Sequence, residues 1–186
     1  MRLYVALLLC VSVVFCGCNN TNSSISNAVS LRNKILEADG CSFSATINAD
    51  YGEEIYTFTL DCTSDKEGNL SFTVAKPDSI SGISGKITAS GGAITFDDKV
   101  LAFQTLADGE ISPVTAPWLF IKTLRGGYIR GCTSGEDSYQ IEIDDSYEEN
   151  ALRLNINIEK DLPAYCEIFW KGRRAIMVTV ENFVLL

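Results

Sequence analysis

The chain has 186 residues, 46% hydrophobic and 21% charged, with a formal charge of -9, no histidine and seven cysteines. That length suits one domain with a real core, and the apolar content is too high for a disordered chain. Without histidine, Ser-His-Asp and Cys-His catalysis, His-ligated zinc and imidazole pH switches are excluded. Fifteen basic residues against 24 acidic ones leave no electrostatic footprint for nucleic acid.

Arg2 precedes Leu3 to Phe15, thirteen residues without a charge. A bilayer-spanning helix needs ~20 apolar residues, so the run has the length of a signal-peptide core instead. The junction Phe15-Cys16-Gly17-Cys18 resembles a bacterial lipobox, with small Gly17 before the cysteine that becomes lipidated. Phe15 departs from the usual aliphatic residue of that pattern. The alternative is secretion with cleavage after Gly17, which asks for a small residue where Phe15 stands. The expected organisation is a signal peptide over 1–17 and a lipidated Cys18 with a flexible Asn/Ser/Thr tether over 18–23. A single domain then spans 24–186. A diacylglyceryl group with an N-acyl chain holds a protein stably on a membrane where one chain does not.

Removing the signal takes Cys10 and Cys16, and lipidation takes Cys18. Cys41, Cys62, Cys132 and Cys166 remain, an even number for an oxidising extracytoplasmic compartment. Segments 41–49 (CSFSATINA) and 54–62 (EIYTFTLDC) alternate as strands. Closing them through residues 50–53 pairs Phe43 with Leu60, Ala45 with Phe58 and Ile47 with Tyr56. Cys41 then stands opposite Cys62, within reach of a disulfide. Cys132 with Cys166 follows by elimination; reduced, buried thiols are the alternative. No metal site is expected, since there is neither histidine nor a CxxC.

Residues 24–38 carry Ile25, Ala28, Val29, Leu31, Ile35 and Leu36 at helical spacing, with Ser23 or Ser24 as cap and Gly40 as stop. Strand 70–76 ends at Pro77. Two further hairpins pair Ile87 with Phe96 and Ala89 with Ile94, then Phe96 with Leu101 and Ile94 with Phe103. Residues 113–125 break the alternation and read as a short apolar helix opened by Pro117 and closed by Gly126-Gly127. Strands at 128–132, 138–144, 151–158, 165–171 and 174–182 follow. A hairpin through Asp145 to Asn150 pairs Ile143 with Leu152, Ile141 with Leu154 and Tyr139 with Ile156. The expected fold class is mainly β (α+β), with about eleven antiparallel strands and two helices.

This order of elements resembles the LolA/LolB/LppX half-barrel superfamily. Segments 72–77 (FTVAKP), 80–85 (ISGISG), 95–98 (TFDD) and 111–113 (ISP) are similar to lipoproteins of the GerS type from Firmicutes. The resemblance covers residues 24–186 and implies a curved half-barrel with its two helices on the concave side. That side either shelters a lipid or hydrophobic ligand or acts as a packed core. Trp118, Phe120, Ile121 and Trp170 are the candidate lining. The resemblance also implies the alternative of a regulatory or scaffold module that binds a cell-envelope enzyme, for example a peptidoglycan-processing one.

No catalytic residue and no cofactor is expected. The carboxylate pairs Glu53-Glu54, Asp97-Asp98, Asp144-Asp145 and Glu148-Glu149 fall in turns or strand ends, and adjacent strand residues point to opposite faces. The glycine-rich segments lack a following Lys-Ser/Thr, so nucleotide binding has no support. Loss of Arg2 leaves 14 basic and 24 acidic residues, a charge of -10. Anionic surfaces repel such a domain, so the lipid must hold it to the membrane. The expected location is extracytoplasmic, on the bacterial cell membrane.

Overall fold

The computed structural model describes residues 20–88, 95–96 and 107–186. Cys10, Cys16 and Cys18 lie outside the described residues, as do Asp97-Asp98 and the hairpin partners Ala89, Ile94, Leu101 and Phe103. Helix α1 (Asn20–Glu37) leads into strands β1 (Gly40–Asp50), β2 (Ile55–Asp65), β3 (Leu70–Lys76), β4 (Ser84–Ile87) and β5 (Thr95–Phe96). A 3₁₀ turn over Pro113–Thr115 opens helix α2 (Ala116–Gly126). Strands β6 (Tyr128–Ser134), β7 (Ser138–Asp144), β8 (Arg153–Glu159), β9 (Leu162–Trp170) and β10 (Arg173–Leu185) complete the order.

All described strands join one open, curved antiparallel sheet in the order β5-β4-β3-β2-β1-β10-β9-β8-β7-β6. The chain meanders outward from β1 to β5 and crosses by α2. It then meanders back, so its first and last strands pair at the centre. The sheet has ten described strands, and β5 contributes only two residues, against the expected total of about eleven.

Alternation decides which face is buried. Phe43, Ala45, Ile47 and Ala49 on β1 share the helix-covered face with Phe58, Leu60 and Cys62 on β2 and Ile141, Leu154 and Ile168 farther along. From α2, Leu119, Phe120, Ile121 and Leu124 descend into this face. Phe43 sits edge-on to Phe120 at 5.9 Å and stacks on Phe183 at 5.7 Å. Such ring pairs stabilise beyond the area they bury. From α1, Ala28, Leu31 and Ile35 add one buried row.

Three expectations need correction. Helix α1 starts at Asn20, inside the segment 18–23 read as a tether. That polar tract holds no proline or glycine, and extending an existing helix gains one hydrogen bond per residue fixed. Both long hairpins keep the expected faces but slide by two residues. Phe43 pairs with Cys62 and Ala45 with Leu60. Ile143 pairs with Leu154 and Ile141 with Ile156. In each case an aspartate sets the turn from its own strand end. Asp50 Oδ1 accepts the Gly52 N–H at 2.7 Å, and Asp145 Oδ1 accepts the Leu152 N–H at 2.8 Å. Gly52 takes φ 92°, which a β-carbon disfavours. Near the sheet edge Phe96 faces Gly85 rather than Ile87.

The third correction concerns the cysteines. The shifted register sets Cys41 opposite Ser64 and Cys62 opposite Phe43, and Cys41, Cys62, Cys132 and Cys166 are all free thiols. Cys132, Ile141, Ile156 and Cys166 form one row across β6, β7, β8 and β9. At ~4.8 Å per strand, Cys132 and Cys166 are ~14 Å apart, twice the ~7 Å over which Cα atoms can be bridged. Neither expected disulfide is formed.

Candidate functional site

The strands that bury one face expose the other, and on β1 to β4 that other face is built of hydroxyls. Ser44 on β1 lies beside Asp61 on β2, then Thr73 on β3 and Ser84 on β4. Ser42, Thr63, Ser71 and Lys86 form the parallel row, one pleat away. Together with Asn182 on β10 these rows wall an open groove of about 680 Å³. The Ser44 hydroxyl donates to Asp61 Oδ1 at 2.6 Å. Thr46 and Thr59 share a hydrogen bond of 3.1 Å, and the Thr57 hydroxyl donates to Asn48 Oδ1 at 2.7 Å. Cross-strand bonds of this kind fix side-chain direction, so the face presents ordered donors and acceptors. Asn182 has φ 55° in a bulge of β10, which turns its amide out of the ladder. Among the described residues no aromatic side chain faces this groove. Phe43 and Phe72, whose backbones form its floor, point into the core.

The other half of the same face is charged. Asp144, 8% exposed, accepts from Arg130 Nη1 at 3.2 Å and from Arg153 Nε at 3.0 Å. Glu142 completes the cluster at 3.2 Å from Arg153. The hydrogen bond to Asp144 raises the Arg153 guanidinium above its ordinary range. Beside the cluster, a cleft of about 370 Å³ runs between Arg153, Asn155, Phe169 and Lys171. The carboxylate pair at Asp144-Asp145 is thereby assigned: one member is neutralised by two arginines, and the other closes a turn. Glu54 accepts a hydrogen bond from the Tyr56 hydroxyl.

Of the four residues proposed as a hydrophobic lining, Phe120, Ile121 and Trp170 belong to one core cluster and Trp118 packs against it. Phe120 and Ile121 are 0% and 1% exposed and pack as core. Trp118 lies at the edge of α2, where its indole donates to the Gly68 carbonyl at 3.1 Å and Lys122 stands 5.3 Å from its ring. Trp170 ends β9 and donates to Asp108 Oδ2 at 3.2 Å; the Lys171 ammonium binds the same oxygen at 3.1 Å. Those two bonds, the Lys171 one foremost, hold the Asp108 carboxyl below its usual range. A smaller cleft of about 200 Å³ opens there between Tyr51, Asp108, Trp170 and Arg173.

Burial pushes the Cys41 thiol up to about 11 and raises Cys62 and Cys166 further, so none is a ready thiolate. Among the described residues no group of three or more Cys, Asp or Glu side chains is arranged to hold a metal ion. Nor is any described helix long and apolar enough to cross a membrane. The sequence carried a signal for the hydroxyl groove. Ser42, Ser44, Thr46, Thr57, Thr59, Asp61, Thr63, Ser71 and Thr73 occupy the polar half of the alternation whose apolar half marked the core.

No family model matches the sequence, and no curated protein sequence matches it. Among solved structures, the chain is similar to a LolA superfamily protein from Nitrosomonas europaea at 12% identity and a TM-score of 0.40. That match covers 86% of this chain and 93% of the other. An uncharacterized conserved protein from Thermus thermophilus gives 12% identity and a TM-score of 0.43, covering 86% and 87%. A putative outer membrane lipoprotein-sorting protein domain from Vibrio parahaemolyticus gives 9% and 0.39, covering 89% and 93%.

Proposed function

We propose that the chain is a non-catalytic, extracytoplasmic binding module, anchored to the membrane through a lipidated Cys18. On this reading its hydroxyl-lined sheet face docks a polypeptide segment of another cell-envelope protein. The carrying observation is the contrast between the two faces of the sheet. The helix-covered side is filled by Phe43, Phe120, Ile121 and Phe183, whereas the opposite side opens a groove of about 680 Å³. Two rows of Ser and Thr that include Asp61 and Lys86, with Asn182 beside them, supply donors and acceptors that suit a polar backbone rather than an acyl chain. The absence of an aromatic ring in those rows removes the stacking platform on which sugars usually rest.

Photo-cross-linking in intact host cells tests this. A photoreactive residue at Thr63 or Thr73 is expected to capture one discrete envelope protein, and the pair Asp61→Ala with Lys86→Ala is expected to abolish it. If instead these positions capture nothing and native mass spectrometry of the protein from its host finds a bound lipid, the hydrophobic-ligand reading replaces this one. The anchor is tested separately. Cys18→Ala is expected to release the domain from the membrane, and unchanged retention refutes lipidation.

A further inference from the structure

Helix α1 has two apolar stripes, and the sheet uses one. Ala28, Leu31 and Ile35 are buried, but Ile25, Val29 and Leu36 are 43%, 44% and 42% exposed. At 100° per residue, Ile25, Val29, Arg32 and Leu36 fall within about 60° of one another, roughly a quarter turn from the buried row. No acidic residue lies on this second stripe. It continues onto the sheet through Arg32, whose Nη2 donates to the Gly127 carbonyl at 2.8 Å. The next residue, Tyr128, is 45% exposed and contacts the ring of Tyr147, 85% exposed, at 5.2 Å. Three aliphatic side chains, one arginine and two tyrosines thus form a continuous surface along the helix.

The occupant follows from where the helix begins. Asn20 is two residues from Cys18, so if Cys18 carries the lipid, as proposed above, almost no tether separates α1 from the bilayer. The helix, ~27 Å long, then starts within the headgroup layer. We infer that α1 lies along the membrane surface with Ile25, Val29 and Leu36 turned into the headgroup–acyl boundary and Tyr128 and Tyr147 at headgroup level. Aliphatic side chains gain from that boundary, and tyrosine favours it because its ring is apolar and its hydroxyl wet. Arg32 adds only its apolar stem to the stripe, because its guanidinium is held on the Leu124 and Gly127 carbonyls. A stripe of three aliphatic residues is too small to hold a chain of charge -10 by itself, so the surface acts as an orienting contact next to the anchor. Helix α1 also packs against α2 and β6, so its orientation sets that of the sheet. The hydroxyl groove would face along or away from the membrane as a fixed consequence.

The test uses the full lipidated chain in phosphatidylcholine vesicles containing some phosphatidylglycerol, with bromine in the acyl chains as a fluorescence quencher. Tryptophan is placed on the stripe by Val29→Trp and off it by Ser30→Trp, an exposed position about 130° from the stripe. The parent chain supplies the background from Trp118 and Trp170. Flotation of each variant with the vesicles is read first. The expected result is flotation of both variants, with quenching at position 29 at least about threefold that at position 30, as an interfacial helix requires. Flotation with equal or no quenching overturns the inference and leaves the anchor standing. Failure of the mature chain to float overturns the anchor, and the inference with it.

Discussion

Arg32 of α1 caps α2: its Nε donates to the Leu124 carbonyl at 2.7 Å while Nη2 reaches Gly127 O at 2.8 Å. The last carbonyls of a helix have no partner within it, and a cation there also meets the negative end of the helix dipole. One residue therefore links the N-terminal helix, the crossover helix and the start of β6. Arg32→Ala should destabilise the domain by about 1.5–3 kcal/mol, the range for hydrogen bonds that involve a charged group. Arg32→Lys should recover less than half, because an ammonium cannot make the same fork. Urea unfolding of both variants checks this, and a midpoint unchanged in Arg32→Ala would refute the capping role.

Gly127 accepts from that guanidinium and tolerates no side chain. A β-carbon there would lie 2.6 Å from Ile143 Cγ2 and 2.7 Å from both the Asp144 carbonyl and Thr123 Cγ2. Two of those neighbours are core side chains and one is backbone, so none can swing away freely. Gly127→Ala is predicted to cost about 1–3 kcal/mol by overpacking. Gly126→Ala is the control, since nothing lies within 4 Å of its added carbon. Thermal melts that drop equally for both would show that the close approach is not what matters.

Apolar alternation placed β1, β2, β7 and β8 and their buried faces, because each strand's period of two is written in the strand itself. The register was not legible from alternation alone, since a slip of two residues leaves every face unchanged. Asp50 and Asp145 decided it through turn hydrogen bonds that depend on backbone geometry. Pro117 and Gly126-Gly127 marked the ends of α2 correctly. The buried positions of Phe120 and Ile121 followed from their apolar surroundings, but whether those surroundings formed a core or a cavity is a property of packing volume. The hydroxyl groove went unread because polar strand positions usually mean only solvent.

Asp108 gives an acid-side prediction. Its carboxyl is held down by Lys171 and by the Trp170 indole. A depressed folded value means this contribution is complete above the ordinary carboxylate range and is lost as pH falls through the lowered value. Trp170 emission should therefore change on the acid side, with a midpoint below 3.8, the ordinary value. In Asp108→Asn the transition should vanish. A transition that persists in that variant would assign it to another group.

The thiols give the alkaline counterpart. Burial raises Cys41 from 9.0 to about 11, so the unfolded chain ionises first as pH rises. Stability from the neutral buried thiol is complete below 9.0 and is lost as pH climbs through about 11. Tyr139, pushed up to about 12 chiefly by burial, adds to the same loss. The informative quantity is therefore the difference between the parent and Cys41→Ala. The urea midpoint of the parent should fall more steeply across this window, and parallel curves would refute a titrating buried thiol. In the native state a thiol reagent should modify half-buried Cys132 well before Cys41, Cys62 or Cys166. Peptide mapping without reductant adds a geometric check. A peptide linking Cys132 to Cys166 would require the strands between them, β7 and β8, to leave the sheet, and its recovery from folded protein would overturn the strand order itself.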